Sequence, residues 1–101
     1  MVNNEQYLAY VLELEKRQRT RLINTLNHLN SLDDYSMVEK VYIVDKEDSE
    51  RGITELVIEM TNNSVAKINI SGNSIHAILA EYLSFIVNGE ATGFFYEGPR
   101  R

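Results

Sequence analysis

The chain contains no cysteine, which excludes a disulfide framework and a thiolate zinc site and leaves the hydrophobic core to carry stability. A reducing compartment suits such a chain. No apolar run approaches the roughly 18 residues that a membrane span requires, and Met1-Val2-Asn3-Asn4-Glu5 lacks the basic and apolar regions of a secretory signal. The expected location is the cytoplasm, with no membrane partner. Phosphate-binding glycine loops, nucleophile elbows and Cys-His patterns are also missing. Of the two histidines, neither His28 nor His76 has another His or an acid three or four residues away to complete a ligand pair. The expectation is a chain that is not an enzyme and takes no metal or cofactor.

What is present describes a globular chain. Its 101 residues fit one domain, and a hydrophobic share of 44% with 25% charged residues is too apolar for disorder. The net charge of −5 is unevenly distributed. Residues 1 to 32 carry three acids and four bases, residues 33 to 63 nine acids and three bases, and the remainder three of each. An acidic middle opposes general affinity for nucleic acid, because each phosphate contact needs a Lys or Arg.

Residues 5 to 31 read as a helix free of Gly and Pro, with Asn3 or Asn4 as its cap. Tyr7, Leu8, Val11 and Leu12 form one apolar stripe, and Leu22, Ile23, Leu26 and Leu29 another. Between them, Glu15 to Arg21 has no apolar residue. A straight helix of this length would run about 40 Å, more than a compact domain with a gyration radius of about 13 Å offers. The helix must therefore bend, break or project. A projecting end would expose its stripe and imply a partner, most simply a second copy of the chain.

A sheet is expected over residues 37 to 70. Val38 to Val44 is rich in β-branched residues; Leu56, Ile58 and Met60 share one face of the next run; Ala66, Ile68 and Ile70 share one face of a third. Asn62-Asn63 suits a tight turn between the last two. Ser74 caps a second helix over 74 to 88, whose apolar face is Ile75, Ile78, Leu79, Tyr82, Leu83, Ile86 and Val87, and Asn88-Gly89 stops it. The expected fold is α+β: a long N-terminal helix, a three-stranded antiparallel meander and a C-terminal helix packed on the sheet. Residues 90 to 101 form a tail that adds an edge strand or a short helical turn, and in which Phe94-Phe95-Tyr96 joins the core, extends the sheet or serves as an aromatic anchor.

Three clusters are candidate contact surfaces. The acids Asp33, Asp34, Asp45, Glu47, Asp48 and Glu50 lie in turns and present an anionic surface to a protein with a basic one; a solvated hairpin tip is the alternative for the loop. Leu22, Leu26 and Leu29 are a candidate seam for a homodimer. Lys16, Arg17, Arg19 and Arg21 are the one basic cluster, yet at about 100° per residue they fan around the helix. Either they pair with Glu13 and Glu15 along the helix or they touch nucleic acid, which the overall charge disfavours.

From Ile53 onward, Ile53-Thr54-Glu55-Leu56-Val57-Ile58, then Asn62-Asn63, then Ile70-Ser71 before Ser74-Ile75 and a helix through Phe85-Ile86 to Asn88-Gly89 resemble a small phage-encoded anti-CRISPR protein. The resemblance covers fewer than 40 residues. It implies a helix, three antiparallel strands and C-terminal helices, and a non-enzymatic inhibitor that occupies the DNA-binding surface of a type II RNA-guided nuclease. Asp33, Asp34 and the loop from Asp45 to Glu50 would then stand in for DNA phosphates. The long first helix with its basic stretch has no place in what the resemblance implies.

Overall fold

The computed structural model describes residues 4 to 91, 93 and 95 to 97. Asn3, Phe94 and residues 98 to 101, on which parts of the readings above fall, lie outside the described residues. The elements are α1 (Asn4–Ser31), β1 (Val38–Val44), β2 (Glu55–Met60), β3 (Val65–Asn69), α2 (Ile75–Asn88) and β4 (Phe95–Glu97).

The four strands form one antiparallel sheet in the order β1-β2-β3-β4. The three-stranded expectation is thus corrected to four. β3 would otherwise leave an open edge, and β4 closes it by pairing Val65 with Glu97, Ala66 with Tyr96 and Lys67 with Phe95. Alternation settles the face of each strand. Leu56 and Ile58 of β2 stand opposite Ile68 and Ala66 of β3, and all four are fully buried. In β1 the register shifts between Val38 and Lys40. That bulge turns Val38 and Val41, three residues apart, toward the same core, against the period of two.

Both helices pack on this face. Leu26 of α1 and Ile78, Tyr82 and Phe85 of α2 join Val41, Leu56, Ile58, Ala66, Ile68 and Ile70 in a single apolar cluster, giving a two-layer α/β arrangement. The ends of α2 carry the chemistry expected of them. Ser74 accepts from the Ala77 N–H at 3.2 Å, and Gly89, at a φ of 71°, donates its N–H to the Phe85 carbonyl at 2.8 Å. The turn from β2 to β3 places Asn63 at a φ of 67°, a conformation asparagine tolerates. The apolar face of α2 is narrower than its sequence suggests, however: Leu83, Ile86 and Val87 are exposed.

Of the three courses open to α1, the structure takes the third. One continuous helix of 28 residues runs about 42 Å at 1.5 Å per residue. Its C-terminal half carries the buried Leu26 and the partly buried Leu22 and Ile23 that pack against the core. From Asn4 to Gln18 every residue is exposed except the half-buried Val11. The molecule measures 56 × 30 × 21 Å, with a gyration radius of 15.1 Å. The N-terminal half of α1 is an arm beyond the body.

Candidate interaction surfaces

The arm presents a broad apolar surface to solvent. Tyr7, Leu8 and Leu12 are each 59% exposed, Tyr10 66% and Leu14 40%. At 100° per residue, Tyr7, Val11, Leu14, Gln18, Leu22 and Thr25 follow one strip along the helix, at spacings of three and four. At the base of the arm this strip enters a cleft of about 400 Å³ between α1 and the start of α2, lined by Gln18, Arg21, Leu22, Thr25, Ile75 and His76. The stripe noted in the sequence at Tyr7, Leu8, Val11 and Leu12 is therefore surface, and Tyr10 and Leu14, which that reading passed over, belong to it. The spacing of four from Tyr10 to Leu14 and of three from Val11 to Leu14 was the available signal.

The leucine seam does not survive as a set. Leu26 is 5% exposed and part of the core, Leu22 packs against that core, and Leu29 alone is open, at 56%. The correction has a simple cause: the half of α1 that carries these residues is the half docked on the sheet. Its apolar stripe is spent within the chain.

The acidic residues occupy two separate places. Asp33 and Asp34 sit in the turn before β1, while Asp45, Glu47, Asp48 and Glu50 lie in the loop after it. The seven-residue strand between them spans about 20 Å. All six are exposed, so they offer two small anionic patches. The loop is tied down at its base. Ser49 donates to Glu55 Oε1 at 2.5 Å, and the Arg51 guanidinium donates to Glu55 Oε2 through Nε at 3.1 Å and through its terminal nitrogen. Arg51 also lies 4.9 Å from the centroid of the Phe95 ring. Burial works against ionisation of the Glu55 carboxyl, but the hydrogen bonds from Ser49 and Arg51, with the charges of Arg51 and Lys67, outweigh it and hold its pKa below the ordinary glutamate value. Nothing in the sequence pattern marked Glu55 as the anchor of the acidic loop.

This anchor is part of the sheet face that no helix covers. There Tyr42 donates to Glu59 Oε1 at 3.1 Å, Lys40 Nζ stands 5.4 Å from the Tyr42 ring centroid, and Lys67 pairs with Glu97 at 3.4 Å. Burial first, then the hydrogen bond and charge of Glu59, with Glu97 adding its field, push the Tyr42 phenol above its usual pKa. These cross-strand polar and aromatic contacts leave Val57, like Glu55, buried on the face that no helix covers.

The basic cluster is divided by the helix. Lys16 and Arg19 line a cleft of about 420 Å³ with Ile23, Ile43 and Asp45, Arg21 turns to the α2 side, and Arg17 pairs with Glu13 at 3.7 Å with both side chains exposed. Such a surface pair is worth little. The four bases do not form a single patch.

Among the described residues no group of three or more His, Asp or Glu side chains is placed to hold a metal ion, and no helix is long and apolar enough to cross a membrane. Comparison with protein families, with known proteins and with solved structures gives no match.

Proposed function

We propose that this chain is a non-enzymatic protein-interaction module and that the arm of α1 is its contact surface. The observation that supports this is the exposure of Tyr7, Leu8, Tyr10, Leu12 and Leu14 on a helix half that makes no contribution to the core. Contiguous exposed apolar surface is costly in water and is retained where another surface covers it. Tyrosine, moreover, is enriched among the residues that dominate binding energy. The test is an arm variant, Tyr7→Ser/Leu8→Ser/Tyr10→Ser/Leu12→Ser, compared with wild type for complex formation and thermal stability. The expected result is loss of association, with an unchanged melting transition at a dilution where neither protein is associated. A variant that assembles as wild type does would refute the assignment.

A second reading concerns the loop from Asp45 to Glu50, as an anionic surface for a protein with a basic groove, including an enzyme that binds nucleic acid. It draws support from the Ser49-Glu55-Arg51 anchor, which holds the loop base in one conformation and so lowers the entropy lost on binding. Neutralising Asp45, Glu47, Asp48 and Glu50 together should then weaken capture of the basic partner and leave stability nearly unchanged. Unaltered capture would remove this reading.

A further inference from the structure

We infer that the occupant of the arm is a second copy of the same chain, bound antiparallel, with the Tyr7 end of each arm in the partner's cleft between α1 and α2. The inference rests on the arm being the contact surface and adds the identity, direction and register of what covers it.

Charge selects the direction. From Asn4 to Glu15 the helix carries Glu5, Glu13 and Glu15 and no Lys or Arg; from Lys16 to Arg21 it carries four bases and no acid. A parallel pair would set like against like along its whole length. An antiparallel pair sets each acidic segment against the partner's basic segment, and it opposes the two helix dipoles. Such a pair has a two-fold axis and closes on itself.

The cleft selects the register. Tyr7, Val11 and Leu14 lie on the strip that runs on through Gln18 and Leu22 into the cleft beside Ile75 and His76. A partner helix following that strip reaches the cleft when its Tyr7 stands opposite Leu22. Val11 then faces Gln18 across the seam, and the two-fold falls between Leu14 and Glu15. The projecting length suits this overlap, since each arm ends where the other body begins.

The area is modest. With a fully exposed side chain of this size presenting on the order of 200 Å², the observed exposures of the four residues on or beside the strip, Tyr7, Leu8, Tyr10 and Leu14, give roughly 450 Å² per copy and roughly 900 Å² for the pair, the size of a weak, reversible interface.

The absence of native cysteine makes the test direct. Three variants are prepared: Val11→Cys, Gln18→Cys and the double variant. Mild oxidation of the double variant should give a covalent dimer in high yield, and neither single variant should. In the antiparallel register a residue 11 lies about 10 Å from its counterpart along the axis, beyond the roughly 7 Å that a disulfide allows between Cα atoms. Light scattering of the wild type should give twice the chain mass, and the serine arm variant should raise the dimer dissociation constant by about tenfold or more. Cross-linking of Val11→Cys alone would overturn the antiparallel arrangement. A wild type that remains monomeric at millimolar concentration would overturn the homodimer. The arm reading is separable from both outcomes: it fails only if no complex, with this chain or another protein, is lost in the arm variant.

Discussion

Asn27 of α1 holds both main-chain polar groups of Val41 in β1: its Nδ2 donates to the Val41 carbonyl and its Oδ1 accepts from the Val41 N–H, each at 2.8 Å. β1 is an outer strand of the sheet, and Val41 lies where the edge passes under the helix. The amide therefore does for this edge what a fifth strand would do, and it blocks pairing with another chain there. Asn27→Ala should cost about 2 kcal/mol, because two hydrogen bonds go and a buried N–H and C=O are left unpaired. Urea denaturation reads this value. A loss below about 0.5 kcal/mol would mean that water reaches Val41 and replaces the amide.

Glu55 makes stability depend on pH in a known direction. Its pKa is lowered on folding, so its contribution is fully present above the unfolded value of about 4.3 and is lost as the pH falls through the lower folded value. Glu55→Gln removes the charge that Arg51 and Ser49 bind and should destabilise the protein by about 2 kcal/mol at neutral pH. Melting temperatures of the two proteins, followed from pH 7 downward, should converge in acid. Parallel curves would mean that the carboxylate is not the charged partner of Arg51.

Gly93 positions β4. Its φ is +60°, and a Cβ built there would stand 2.7 Å from the Asn69 Cβ. Both the backbone and the space exclude a side chain. Gly93→Ala should release β4 from β3 at a cost of about 1 to 3 kcal/mol and raise amide exchange at Lys67 and Val65, whose strand partners are Phe95 and Glu97. Exchange unchanged from wild type would show that β4 is held without this turn.

The parts of the fold that were legible in sequence are those dictated by neighbours in the chain. Ser74 and Gly89 bound α2, alternation at Leu56, Ile58, Ala66 and Ile68 defines the inner sheet face, and Asn62-Asn63 makes the hairpin. The remainder depended on contacts between distant residues. β4 is too short at three residues to show a period, and it exists because β3 had a free edge. The bulge at Glu39 hides the inward pairing of Val38 with Val41. Two apolar stripes on α1 look alike by spacing, and only the position of the sheet decides which one is buried. The six acids form one group by composition but two by geometry, since β1 lies between them. Asn27, Asn30 and Glu55 carry no mark of their roles until the atoms they bind are known; Asn30, for instance, donates to the Tyr82 hydroxyl at 2.9 Å from 52 residues away.

The division of α1 can be tested through two leucines three positions apart. Leu26 is 5% exposed within the core cluster, and Leu29 is 56% exposed on the next turn. Leu26→Ala leaves a cavity among close-packed side chains and should cost about 2 to 5 kcal/mol. Leu29→Ala, already in water, should change stability by no more than about 0.5 kcal/mol. The two effects separate intrachain packing from self-association, because neither residue lies on the arm. Loss of dimer in Leu29→Ala at wild-type stability would move the seam from the arm to the C-terminal end of α1. Chemical denaturation and light scattering on the same samples give both readouts.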